Sequence, residues 1–257
     1  MKRVKIIISI ILTAVLLLAG CESQPSGGNV AVETARIGAM TGTTGEMFIE
    51  NNYPKAKLNR YDSIPDAIMA LQGNKLDYVM TSYTNALGFV RNNKDLEIVP
   101  GALLNEGAAI AVKQSETQLL SDISGVLERF RTDGTLNGII ERWIKEDGSA
   151  YGREDIPVNP DGAVLMVGVA ANREPMCFIE NGNTVGLDCE LIERIAYELG
   201  MKVEYMDMQF SALIAALESG KVSVVISNVT ATEERKQVVN FTDDYFQNPQ
   251  VLIKIKE

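Results

Sequence analysis

Residues 68–84 read IMALQGNKLDYVMTSYT, and residues 214–230 read IAALESGKVSVVISNVT. Aligned without a gap, the two share an isoleucine, an Ala-Leu pair, a lysine, a valine and the final threonine. Each passes from an amphipathic helix through a glycine turn and a lysine into a short apolar strand whose end is polar. A helical period followed by a continuous apolar run is the helix-to-strand unit of an α/β fold. Two copies imply two similar lobes, each presenting a polar strand end. Ligands of open α/β sheets sit beyond the carboxyl ends of the strands, so two such lobes face to face make a cleft.

The surroundings of the second copy extend the pattern. Residues 165–170 read as a strand, and Asn181-Gly182 is a hairpin signal. Asp188 is expected to cap a helix whose Leu191, Ile192, Ile195, Ala196 and Leu199 share one face and which Gly200 ends. Ser211 caps a second helix over 212–219, residues 222–227 form a buried strand, and Thr232 caps a third helix with Glu233 and Glu234 in its first turn. Residues 146–162 (EDGSAYGREDIPVNPDG) have no periodicity and several turn formers, so they separate two structured blocks.

The first residues set the compartment. Lys2, Arg3 and Lys5 precede an apolar run over 6–18, which stops at Leu18-Ala19-Gly20-Cys21. This reads as an export signal. The chain has 24 Lys plus Arg against 34 Asp plus Glu; cleavage before Cys21 leaves 21 basic residues and a net charge of −13. Such a surface repels a phosphate backbone, so no nucleic-acid partner is expected. Histidine is absent. That removes the commonest general base and the commonest metal ligand, so the chain reads as a non-enzyme with no metal and no cofactor. Cys177 and Cys189 are either two free thiols or a bridge.

Three ordered segments carry a resemblance: VISNVTATEERKQVVNFTDDYF (225–246), IGAMTGTTGE (37–46) and RTDGTLNGIIERWI (131–144). Together they resemble the polar-amino-acid-binding family of bacterial extracellular solute-binding proteins. The resemblance implies an α/β, two-lobe periplasmic-binding-protein type 2 (Venus flytrap) fold. The lobe order is circularly permuted relative to the family, because the segment that usually opens the chain comes last. The division is then a lipoprotein signal peptide (1–20), a flexible tether (21–34), a Gly-Thr-Thr lobe (35–108), a hinge strand with closing helices (109–145), a linker (146–162) and a second lobe (163–257). Pairing of half modules between two chains is the alternative to a single-chain permutant. For the single chain, strand 251–253 is expected beside strand 108–112. The Leu-Ala-Gly-Cys site resembles a lipobox, which would place lipid on Cys21 and hold the chain at the outer face of a membrane.

The resemblance gives Arg235 the ligand carboxylate, with Asn228 and Thr230 beside it. Thr43 and Thr44 belong to a loop, 41–45, able to form an amide-lined anion nest. Phe210 keeps an apolar wall position. An acid that family members use for an ammonium is replaced by Ser82, followed by Tyr83. A second acid is replaced by Ala170, and an aromatic wall by Arg173. The expected ligand is therefore small and polar, amino-acid-like or a dicarboxylate. The expected partner is an ABC permease or, alternatively, a sensor. A dehydratase-like enzyme on the same fold is the reading from a different class.

Overall fold

The computed structural model describes residues 32–145, 149, 151–152 and 154–256. The expected signal peptide, Cys21 and nearly all of the tether lie outside the described residues.

The first half holds β1 (Arg36–Met40), α1 (Thr44–Asn52), β2 (Lys57–Tyr61), α2 (Ile64–Gln72), β3 (Tyr78–Ser82), α3 (Tyr83–Asn92), β4 (Leu96–Ile98), β5 (Gly107–Lys113), α4 (Thr117–Thr132) and α5 (Thr135–Trp143). The second holds β6 (Ala163–Val169), β7 (Asn172–Arg173), β8 (Cys177–Glu180), β9 (Asn183–Val185), α6 (Leu187–Glu198), β10 (Met201–Asp207), α7 (Leu213–Glu218), β11 (Val224–Val229), β12 (Val239–Phe241), β13 (Phe246–Gln247) and β14 (Gln250–Ile255). These strands build two large sheets of matching design. One runs β2-β1-β3-β14-β4 and the other β10-β6-β11-β5-β12. In each, three parallel strands are followed by one antiparallel strand from the other half: β14 lies against β3, and β5 against β11. The two copies of the sequence repeat therefore occupy equivalent places. Each supplies the helix and the strand (α2 and β3, α7 and β11) that meet the exchanged strand.

The exchange corrects one expectation. Residues 251–253 do not lie beside 108–112; they pair with Thr81, Met80 and Val79, and on the other side Ile253 opposes Ile98. The contact with β5 is made earlier, where Phe246 and Gln247 oppose Ala108 and Gly107. The reason is burial: Val251, Leu252 and Ile253 are all buried, and an all-apolar strand takes the interior of a sheet rather than a rim.

Local chemistry explains most boundaries. Ser63 accepts the Asp66 amide at 3.3 Å at the start of α2, and Ile64, Ala67, Ile68 and Leu71 form its buried face. Asn181 and Gly182, both at positive φ, make the two-residue turn between β8 and β9. Helix α6 begins earlier than expected. Its cap is Gly186 at φ +134°, where a Cβ would stand 2.2 Å from the Met176 carbonyl oxygen. Asp188 is thus not the cap but a buried residue of the first turn. Ser211 likewise lies within a 3₁₀ turn, Phe210–Ala212, that leads into α7. The third expected helix is a 3₁₀ turn, Arg235–Gln237, whose Arg235 amide donates to Thr232 Oγ1.

Helices α4 and α5, joined through Gly134 at φ +86°, pack Ile123, Leu127, Leu136, Ile139 and Trp143 onto the second lobe. Glu190, 2 % exposed, anchors them: it accepts from Trp143 Nε1 at 2.7 Å, from Arg142, and from Arg194 at 2.9 Å. A separate apolar cluster includes Met40, Leu71, Val79 and Val251 from one lobe and Phe210, Leu213, Val225 and Val229 from the other, so the lobes are closed on each other. Among the described residues no helix is long and apolar enough to cross a membrane.

Candidate functional site

The polar ends of β3 and β11 meet at the lobe junction. Phe210, at the mouth of α7, has the Arg173 guanidinium 4.7 Å from its ring centre and the Arg235 guanidinium 5.6 Å from it. Both contacts are within cation–π range. Arg235 donates to the Thr230 carbonyl in its own lobe and to the Gly42 carbonyl in the other, each at 2.8 Å. Arg173 donates to the Ser227 carbonyl at 3.1 Å, and its Nε has no partner. Burial lowers the pKa of both guanidiniums, opposed by Asp188 beside Arg173 and by Glu106 beside both. Arginine stays charged nonetheless, so two cations are held in a largely dry crevice with no carboxylate in ion-pair contact among the described residues.

The facing lobe supplies acceptors. Glu106, just before β5, takes the Thr44 hydroxyl at 2.8 Å and the Gln250 amide at 2.6 Å on Oε1, while its buried Oε2 has no partner. Gln250 sits directly opposite Ser82 across the β3–β14 ladder, so their side chains share a face. Ser82 Oγ and Asn85 Oδ1 are also buried without a partner. Buried polar atoms are nearly always paired in folded proteins, so Glu106 Oε2 and Ser82 Oγ, linked through Gln250, stand out as acceptors left open on one face. Asn248 latches the lobes behind them, donating to Thr84 Oγ1 at 2.8 Å and to Asn228 Oδ1 at 3.0 Å, and accepting the Thr84 amide. Asp188 accepts the Tyr245 hydroxyl at 2.6 Å, and desolvation pushes its pKa up to about 7.

The structure brings Arg235, Arg173 and Phe210 together and reaches Thr44 through Glu106. Thr230 contributes its carbonyl, and Asn228, at φ +49°, contributes to the latch. Tyr83 donates its amide to Pro249, and its ring packs on the shared core. Thr43 is spent on its helix: it donates to the Met40 carbonyl and accepts the Glu46 amide. The expected anion nest is occupied from within, because the Gly42 amide donates to Glu46 Oε2 at 2.6 Å. Glu106, Gln250, Asn248 and Asn85 were not expected from sequence; none belongs to a period or a motif of fixed spacing, and the first three find partners far away in the chain. Two openings flank the junction. One of about 400 Å³ is lined by Gly42, Met47, Phe210, Ser211 and Arg235, and one of about 280 Å³ by Pro65, Asn85, Gly88, Ala171 and Glu174.

Residues 165–257 match the model of the bacterial extracellular solute-binding proteins, family 3. The "Probable histidine-binding protein" of Campylobacter jejuni is 38% identical over 92 residues, which is 36% of this chain and 36% of the relative. The arginine-binding extracellular protein ArtP of Bacillus subtilis is 38% identical over 93 residues, again 36% of each chain. The chain thus spans well under half the length of the curated relatives it matches. Among solved structures, the arginine-bound truncated ArgBP from T. maritima is 47% identical over 33% of this chain and 40% of that one, at a TM-score of 0.32. The periplasmic VFT2 domain of Bordetella pertussis BvgS covers 88% of this chain and 82% of its own, at 10% identity and a TM-score of 0.44.

Proposed function

We propose that this chain, whose residues 165–257 match the model of the bacterial extracellular solute-binding proteins, family 3, closes its two lobes on a small carboxylate-bearing ligand, an amino acid or a relative of one, outside the cytoplasm and delivers it to an ABC importer. One observation carries the reading: Arg235 reaches from one lobe to the Gly42 carbonyl of the other while stacked on Phe210, with no carboxylate in ion-pair contact among the described residues. A guanidinium so placed couples ligand charge to closure, since a carboxylate between the lobes gains a charge-assisted contact only when they meet. Anchoring by lipid on Cys21 belongs to the same reading and rests on the Leu-Ala-Gly-Cys site; the intact mass of the membrane-extracted protein tests it.

The permuted lobe order is supported by the extent of the family match. A linear comparison of a reordered chain registers one block at a time, and the block registered here is the second lobe. The strand exchange fits one closed unit per chain, since each lobe completes the other's sheet. Thermal unfolding of the full chain across a panel of amino acids and dicarboxylates tests the function. A true ligand at 100 times its dissociation constant adds about 2.7 kcal/mol of stability. A panel that shifts nothing refutes ligand binding of this class.

A further inference from the structure

We infer that the Glu106 carboxylate receives the cationic nitrogen of the ligand, and that the junction selects an amino acid bearing a second acidic group. The inference rests on the binding reading above and deepens it to a ligand class. The two walls are chemically opposite. The second lobe offers donors, the guanidiniums of Arg173 and Arg235, and Arg173 Nε is unpartnered. The first lobe and its exit strand offer acceptors without partners on one face: Glu106 Oε2 and Ser82 Oγ. A bipolar ligand is therefore oriented with its anionic end toward Arg173 and Arg235 and its ammonium toward Glu106.

Glu106 is prepared for that role. Thr44 and Gln250 both donate to Oε1, so two side chains hold the carboxylate while buried Oε2 keeps its acceptor capacity. An ammonium has three donors and no acceptor, so it can satisfy Oε2 together with the Ser82 oxygen, which shares a strand face with the Gln250 that holds Glu106. A neutral hydroxyl or amide would satisfy it less well, because charge-assisted bonds are about twice as strong as neutral ones.

The second acidic group follows from charge. Two guanidiniums face one carboxylate across the junction. Asp188 stands near Arg173, but it is committed to the Tyr245 hydroxyl and its burial disfavours its ionised form. Glu234, near Arg235, is solvent-exposed and screened. A neutral zwitterion would leave one buried cation uncompensated, a cationic amino acid would add to the excess, and a dicarboxylate without an amine would leave Glu106 unpaired. One ammonium with two carboxylates balances all three groups.

Isothermal titration of the full chain with aspartate, glutamate, glutamine, arginine, histidine, succinate and glutarate tests this, on the parent and on Glu106→Gln, which keeps shape and the Oε1 acceptor. Glu106→Asp serves as a second variant that keeps the charge. The parent is expected to prefer an acidic amino acid over all others. Glu106→Gln should weaken that ligand about tenfold to hundredfold and leave the matching amine-free dicarboxylate unchanged or tighter, while Glu106→Asp should stay nearer the parent. Equal loss for amino and amine-free ligands, or no loss for either, overturns the role of Glu106. A parent that prefers arginine, histidine or glutamine overturns the ligand class while leaving the binding function standing. A parent that binds nothing in the panel defeats the binding reading itself.

Discussion

Replacing Arg235 by alanine removes a guanidinium that donates to both lobes. In the closed structure it loses the bond to Thr230 within its lobe, the bond to Gly42 across the junction, and the stack on Phe210. Only the Gly42 bond bears on closure in the absence of ligand; the Thr230 bond is present in either state. A bond from a charged donor is worth about 1.5–3 kcal/mol, and a carboxylate ligand held by the same guanidinium adds a contact of the same kind. One such contact corresponds to about a tenfold to 150-fold change in an equilibrium, and the two together set a floor of about tenfold on the affinity loss. Arg235→Lys keeps the charge but not the planar fork that serves two directions, so it should fall between parent and alanine. Titration calorimetry reads the affinity, and small-angle scattering with and without ligand reads compaction. Arg235→Ala with parental affinity and parental compaction would refute the assignment and make Arg235 a structural stack on Phe210.

Gly42→Ala places a Cβ 3.1 Å from Ser211 Cα at φ +80°, so it should hinder closure and weaken binding at least tenfold, with thermal stability lowered by roughly 1–2 kcal/mol; calorimetry and thermal melts separate the two effects. Glu190→Ala removes the buried acceptor shared by Arg142, Arg194 and Trp143 Nε1 and leaves both guanidiniums on the more exposed Glu154 alone, so it should cost about 1–3 kcal/mol in urea unfolding. Asp188 binds its proton more tightly folded than unfolded, so its contribution to stability is full below pH 4 or so, shrinks as pH rises through about 7, and is level above; Asp188→Asn should flatten that part of the stability–pH curve. Deleting 250–257 takes the antiparallel strand out of the middle of the first sheet, so circular dichroism and proteolysis should report an unfolded first lobe rather than a loosened hinge.

The repeat was legible because two lobes of one design reuse one pattern: 68–84 and 214–230 do form equivalent helix-strand units. What the pattern could not show was the destination of β5 and β14. Both are apolar runs that any buried sheet accepts, and pairing partners far apart in the chain leave no periodic trace. Helix starts failed for a related reason. Asp188 and Ser211 have the side chains of caps, but tertiary demands overrode them: Gly186 is forced by the closeness of the Met176 carbonyl, and Asp188 is drawn inward to Tyr245.

The site shows the same division between local and non-local information. Arg235, Arg173 and Phe210 could be named because each follows a strand end or a motif with a fixed offset, and the structure stacks all three. Thr43 could be named but not assigned, since the hydroxyl that suits a ligand also suits a helix N-terminus, and the nearer partner won. Glu106 could not be named at all. Its meaning comes from Thr44, 62 positions away, and Gln250, 144 positions away, which turn an acid ahead of an apolar strand into an oriented carboxylate. Gln250 in turn stands there only because β14 crosses back into the first lobe and sets it opposite Ser82. The strand exchange that hides the topology from the sequence is therefore also what brings Gln250, Glu106 and Ser82 together as the acceptor side of the proposed site.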